Sequence, residues 1–317
     1  MKLSRWLAST VATLVLAAPA SAARIPTADE SAALNGLIAK IDAECTLAEH
    51  SVSLPLVTDD GTWGRVTAGC GDASQGGAAF RGRGVWAHRS SATATDWAIV
   101  GSTEASRIPP CSGKNGLLEL VPEAVVRDLR EECAGPPSGY RPSPDLVFSV
   151  FRNATHEYDS IGASIYLSSK SEVNGGGFGL FSIDRTGPPT ASGSKPKLRD
   201  MTRAFGKPRR TRCGATWTKL ALKATACASG AVTKLTMGEP WRLSPDSEDR
   251  EHPANAYVRV GDTIELAHYL DPQLAKLGAD QRFRLAKLRI GSADVTATVV
   301  TRAGRITAFE TSIKQRH

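Results

Sequence analysis

The sequence predicts an α+β fold of two small domains, each with an antiparallel sheet and short helices. Three observations carry that expectation across the 317 residues. Helical periodicity is confined to a few runs, near 29–44, 122–133, 201–205 and 264–270, while short alternating apolar and polar stretches recur along the rest of the chain. A connector at 134–145 holds Pro136, Pro137, Pro142 and Pro144 with Gly135 and Gly139, the composition of a stiff, structureless linker. Finally, the outline of residues 201–235 returns near the C-terminus. Helix, stop at proline, strand, strand, glycine turn, strand describes both, so the C-terminal part reads as an internal duplication of two similar units, 197–238 and 258–313.

In chain order, residues 1–22 carry Lys2 and Arg5, an apolar run at 14–18, and then Ala20-Ser21-Ala22, the small-residue pattern of signal-peptidase cleavage. That run is shorter than the ~20 residues of a spanning helix, and no later segment reaches that length, so membrane insertion is not expected. No cysteine follows the signal closely enough for acylation. Secretion is expected, with free release and weak wall association both open.

Thr27-Ala28-Asp29-Glu30 has the form of a capping box, and Leu34, Leu37, Ile38 and Ile41 follow at helical spacing, predicting a helix over 29–44. Val52, Leu54 and Leu56 alternate with polar residues before the turn Asp59-Asp60-Gly61. A second run at 63–68 completes a hairpin. Residues 85–88 and 96–100 read as two further strands of a four-stranded antiparallel meander. Pro122 fits the start of a helix lined by Val125, Val126, Leu129 and Cys133. These elements form the expected N-terminal domain, 23–133.

The C-terminal domain, 146–317, is expected to open with strands at 146–151, 163–167 and 178–183. A helix ending at Phe205 and strands at 217–222 and 231–236 make the first unit. Ile264, Leu266, Ala267 and Leu270 open the second, with strands at 283–290, 294–300 and 304–309. Arg282 and Arg284 alternate with Phe283 and Leu285, but Lys287 and Arg289 fall out of step, which predicts a bulge near Ala286.

Six cysteines in an exported chain favour disulfides. Spacing points to Cys45 with Cys70, Cys111 with Cys133, and Cys213 with Cys227, one of about 15 connectivities. No Cys-x-x-Cys pair meets a second pair at zinc-ligand spacing, so no metal and no cofactor are expected. The formal charge of +7 is spread without a dense basic run. A nucleic-acid partner therefore lacks support.

Ala204-Phe205-Gly206-Lys207-Pro208, Cys213, Trp217, Leu220-Ala221-Leu222, Cys227, Trp241-Arg242 and Val260-Gly261-Asp262 are together similar to a group of uncharacterised exported proteins of high-GC Gram-positive bacteria. The resemblance covers roughly residues 190–313, and the pairing of Cys213 with Cys227 fits it. Cys111, Pro122 and Cys133 resemble the end of a second uncharacterised module. The tandem helix-then-strands units also resemble the β-lactamase-inhibitor protein and the small lipoprotein of the outer-membrane barrel-assembly machinery. That resemblance implies a sheet, or loops at its edge, that serves as a surface for binding another protein.

Candidate chemistry is sparse. His88 and Asp96 would lie close enough to share a proton if their strands pair, and His156, Glu157 and Asp159 form the densest titratable group. Each also fits an ordinary loop or strand end. No Gly-x-Ser-x-Gly elbow occurs, and Ser192-Gly193-Ser194-Lys195 lacks the partner motifs of an acylating serine. With every cysteine expected in a disulfide, a thiol nucleophile is not expected. Arg209, Arg210, Arg212, Arg282 and Arg284 are the best binding candidates, because guanidinium groups grip carboxylates and phosphates bidentately. The function expected is therefore non-catalytic binding of a protein or an anionic envelope polymer. A hydrolase using His88 and Asp96 or the His156 group, and a passive structural component of the wall, are the alternatives.

Overall fold

The structure is a computed structural model. It describes residues 23–41, 54–70, 81–104, 116–130, 145–152, 158–166, 177–184, 197–227, 230–239, 241–244, 257–290 and 293–315. The expected export signal, residues 1–22, and the 134–144 stretch of the expected connector lie outside the described residues. So do Cys45, Cys111 and Cys133, and the side chain of Cys70.

The first sheet is built from β1 (Ala23–Arg24), β2 (Leu56–Thr58), β3 (Trp63–Cys70), β4 (Arg81–His88) and β5 (Ala98–Glu104), in sequential antiparallel order. It is the expected meander with one strand added. β1, at two residues, is too short to show a period in sequence. The first hairpin ladder begins at Leu56 because Pro55 has no N–H to give it.

Helix α1 (Ala28–Ile41) closes one face of this sheet. Its capping box forms in full. Thr27 Oγ1 accepts from the Glu30 amide at 3.2 Å, and Glu30 Oε2 accepts from the Thr27 amide at 2.9 Å. Leu34, Leu37 and Ile38 then pack against Val57, Val66, Val85 and Trp97. The opposite face sends Leu56 and Trp86 into a second, larger core.

Helices α2 (Leu117–Leu120) and α3 (Glu123–Asp128) follow, with Pro122 at the N-cap of α3. The chain turns out of α3 at Arg130, whose φ is 65°. Arg65, reaching from β3, donates to the Leu129 carbonyl at 2.9 Å and so supplies the partner that a helix end lacks.

Next come β6 (Asp145–Arg152), β7 (Tyr158–Tyr166) and β8 (Gly177–Asp184), then helix α4 (Leu198–Phe205) with β9 (Arg209–Thr211), β10 (Gly214–Trp217), β11 (Leu222–Ala226) and β12 (Val232–Met237). After β13 (Arg242–Ser244) and β14 (Val258–Arg259) come helix α5 (Ile264–Leu270) and the strands β15 (Arg282–Ile290), β16 (Ala293–Arg302) and β17 (Arg305–Gln315). β13 and β14 were not foreseen. They join the second sheet in the order β14-β13-β6-β7-β8, and β13 runs parallel to β6.

The remaining strands form a seven-stranded antiparallel sheet, β15-β16-β17-β12-β11-β10-β9. The run 217–222, expected as one strand, is divided. Trp217 pairs with Leu222, so the four residues between them are the hairpin loop, a turn of 3-10 helix that closes at Ala221 in the left-handed region. Two indoles hold this bend: Trp241 Nε1 donates to the Leu220 carbonyl at 2.6 Å, and Trp217 Nε1 to the Gly206 carbonyl at 2.7 Å. Here tertiary contacts override the strand preference of Trp217 and Leu222.

The two units meet at the centre of this sheet, where their last strands, β12 and β17, pair antiparallel. Each unit fastens its helix to its own final hairpin in the same way. Leu198 N–H donates to the Gly230 carbonyl at 2.9 Å, and Ile264 N–H to the Gly304 carbonyl at 3.0 Å. Bridges Lys197–Ala231 and Thr263–Arg305 flank those bonds. Leu222, Leu235, Met237, Val295, Val299 and Phe309 line the apolar face of the sheet, and the β6 side chain Phe148 stacks on Phe309 with ring centroids 5.7 Å apart. This large core takes residues from both sides of the connector. Among the described residues no helix is long and apolar enough to cross a membrane.

Candidate functional site

The side of the seven-stranded sheet away from that core is polar. Cross-strand register lines up Arg284, Thr298, Glu310, Thr236, Lys223, Thr216 and Arg209, one residue from each strand, in a single row. Six inter-strand steps of about 4.8 Å make this row roughly 29 Å long. A second row runs through Lys287, Thr296, Ser312, Lys234 and Thr225. Lys223, Thr225, Arg282, Arg284, Lys287, Ser312 and Lys314 are exposed.

The expected bulge lies between Arg284 and Ala286 in β15. Its consequence for the surface is direct. One extra residue resets the alternation, so Lys287, out of step in sequence, stands on the same face as Arg282 and Arg284.

Two carboxylates organise part of this charge. Glu310, largely buried at the centre of the face, pairs with Lys234 at 2.8 Å and with Arg282, and takes the Thr236 hydroxyl at 3.4 Å. Burial, reinforced by neighbouring Arg282, holds the Lys234 ammonium below its ordinary pKa. Asp294 lies 3.6 Å from Lys287. Arg209, Lys223, Arg284 and Lys314 have no carboxylate partner among the described residues.

The structure thus separates the five sequence-predicted arginines. Arg282 and Arg284 lie on one edge strand, Arg209 and Arg210 on the other, six strands away. Arg209 shares the polar face with Arg282 and Arg284, whereas Arg210, opposite buried Ala215, has the other parity. Charge on both edge strands also guards the unpaired backbone there against joining a foreign strand.

Arg210 and Arg212 instead line a cleft of about 290 Å³ beside the Cys213–Cys227 disulfide. The sequence reading missed a third arginine in this cleft, Arg199, contributed by the first turn of α4. Only the helix docking onto the β9–β10 hairpin brings it there. The same reading passed over Lys223, Lys234 and Glu310, although their alternation with buried Leu222, Leu235 and Phe309 marks them as facing outward.

The candidate acid–base groups gain no geometry. The His88 ring contacts Trp63, with centroids 4.6 Å apart, and Asp96 is exposed in the loop between β4 and β5. No hydrogen bond joins the two. His156 and Glu157 lie outside the described residues, as does the side chain of Asp159. No group of three or more His, Cys, Asp and Glu side chains able to hold a metal occurs among the described residues.

A third polar assembly is structural. Arg130, Arg242 and Arg259 stand 5.7, 4.2 and 4.8 Å from the ring centroid of buried Tyr257. Arg130 donates to the Tyr257 carbonyl and, at 2.7 Å, to Asp262, which also accepts from the Arg259 amide at 2.6 Å. This knot joins the end of α3 to β14. Arg130 is far in sequence from Arg242, Tyr257, Arg259 and Asp262, and no local pattern announces that it joins them.

Comparison with known proteins gives no match to a family model, to a curated protein or to a solved structure.

Proposed function

We propose that the chain is an exported, non-catalytic binding protein whose seven-stranded sheet lays its polar face against an anionic polymer of the cell envelope. The observation that carries this reading is the row from Arg284 to Arg209, which sets basic groups among threonine hydroxyls across all seven strands. A long row of cations and hydroxyls, with its central Glu310 carboxylate already paired to Lys234 and Arg282, suits an extended chain with repeated anionic groups. Guanidinium and ammonium groups bind such anions from an exposed surface without a deep pocket. The Ala20-Ser21-Ala22 pattern and the Cys213–Cys227 disulfide support an oxidising, extracytoplasmic location.

The test uses the mature, oxidised chain against immobilised polyphosphate and against purified envelope polymer. Binding is expected at low salt and is expected to fall steeply as salt screens the surface. The triple substitution Arg209→Gln, Lys223→Gln, Arg284→Gln weakens it by about ten-fold or more. Retention of wild-type binding by the triple variant sinks the reading, as does capture of a folded protein alone from envelope extract. The secretion component is checked by mass spectrometry of the protein from culture medium, where the first residue is expected to be Ala23.

A further inference from the structure

We infer that the cleft beside the Cys213–Cys227 disulfide is a separate site that holds a phosphate group. Its walls are Arg210, Thr211 and Arg212 of the β9 hairpin, Arg199 at the start of α4, and Gly214 with Cys227 below. Among the described lining residues there is no carboxylate. Arg210 and Arg212 are exposed, and their side chains have no ion-pair or hydrogen-bond partner among the described residues.

The unpaired Arg210 and Arg212 guanidinium groups repel one another across one small cleft, and a bound anion removes that cost. The shape argues for a phosphate. A planar carboxylate is satisfied by one guanidinium fork, whereas a phosphate carries about −1.5 to −2 charges on terminal oxygens that accept from several donors at once. A volume of about 290 Å³ is small for a ligand pocket and suits a head group rather than a whole extended ligand.

The floor of the cleft is shaped by Gly214. A Cβ built there would stand 2.8 Å from the Thr211 hydroxyl oxygen, so alanine would push that hydroxyl from its place in the cleft wall. The disulfide sets the geometry. It ties the turn after Arg212 to the end of β11, where the Ala226 amide also donates to the Cys213 carbonyl at 3.2 Å. Arg212, next to Cys213 in sequence, is thereby held against the cleft rather than left on a loose hairpin tip.

This site does not depend on the polar-face reading, because Arg210 has the opposite strand parity to Arg209. The phosphate has two potential sources, a free ion and the terminal monoester of a larger molecule. Both share the chemistry that the arginines recognise.

The experiment is a calorimetric titration of the oxidised, mature chain at neutral pH with inorganic phosphate, glycerol phosphate and acetate. Saturable one-to-one binding is expected for one or both phosphates, with acetate weaker by about ten-fold. Tighter binding of the ester identifies an end group as the ligand, and tighter binding of the inorganic ion identifies free phosphate. The pair Arg210→Gln, Arg212→Gln is expected to weaken binding by about ten-fold or more. Gly214→Ala weakens it with no change in charge. The polar-face triple Arg209→Gln, Lys223→Gln, Arg284→Gln leaves it unchanged, so failure of the cleft and failure of the polar face are read separately. The proposal is overturned by absence of saturable phosphate binding, by acetate binding as tightly, or by equal weakening in the cleft pair and the polar-face triple.

Discussion

The amide of Ile264 donates to the carbonyl of Gly304 at 3.0 Å, fastening the first turn of α5 to the hairpin that ends its own unit. Leu198 and Gly230 repeat the contact at 2.9 Å in the other unit. The same hydrogen bond, made twice by residues at corresponding places, is the local device that turns helix-then-strands into a closed unit. Both glycines take positive φ, 72° at Gly304 and 66° at Gly230.

Neither glycine has an atom within 4 Å of where a Cβ would stand. The cost of Gly304→Ala or Gly230→Ala is therefore backbone strain alone, about 1 kcal/mol for each. Urea unfolding should give two similar losses of that size. A loss at one site with none at the other would show that the two units are not fastened alike.

Glu30 ties α1 to the first sheet. It accepts both guanidinium nitrogens of Arg24 at 2.8 Å, pairs with Arg89, and closes the capping box with Thr27. The Arg24 hydrogen bonds, set against burial and aided by the Thr27 amide, hold its carboxyl down from 4.5 to about 2. A depressed acid stabilises the fold above its unfolded pKa and loses that contribution as pH falls, here between about 4.5 and 2. Glu30→Gln should remove up to about 3 kcal/mol near neutral pH, less where solvent screens the pairs. It should also flatten the acid limb of a stability–pH curve. An unchanged acid limb in the variant would count against this role.

Arg130 is 2% exposed and bonds Asp262 and the Tyr257 carbonyl. Removing one partner of a buried ion pair leaves the other charge poorly solvated, at a cost of about 3 to 5 kcal/mol. Arg130→Met is expected to fall in that range by chemical denaturation. A loss below about 1 kcal/mol would mean that Asp262 is satisfied without it.

Tyr269 on α5 donates its phenol to the Pro55 carbonyl at 3.0 Å, linking the second unit to the first sheet. Burial pushes its pKa from 10.0 up to about 12. Above pH 10 the unfolded chain ionises while the folded one does not, so stability declines across that window. Tyr269→Phe should cost about 1 kcal/mol at neutral pH and reduce the alkaline decline. An ultraviolet titration that found every phenol ionising near 10 would contradict the burial.

Much of the local structure was legible. Thr27 and Glu30, three residues apart, spell the capping box because its geometry depends only on neighbours in sequence. The broken alternation after Leu285 located the β15 bulge for the same reason. The polar face was half legible: strand parity marks Arg282 and Arg284 as outward, but the partners that complete the row come from strands as far back in the chain as the one holding Arg209. Arg199 of the cleft gave no signal, since its place depends on where α4 docks.

By itself the sequence determined the class of the fold and the positions of many of its strands and helices, because periodicity, caps and turns act over a few residues. The Cys213–Cys227 link was also within its reach, being 14 residues apart in chain. Only the tertiary structure decided how the strands are ordered. It set β12 against β17, drew β13 and β14 into the β6 sheet, and sent the two arginine sets to opposite edges. Pairing between distant strands is chosen by which apolar faces can be buried together, and that choice is made by the whole chain at once rather than by any segment of it.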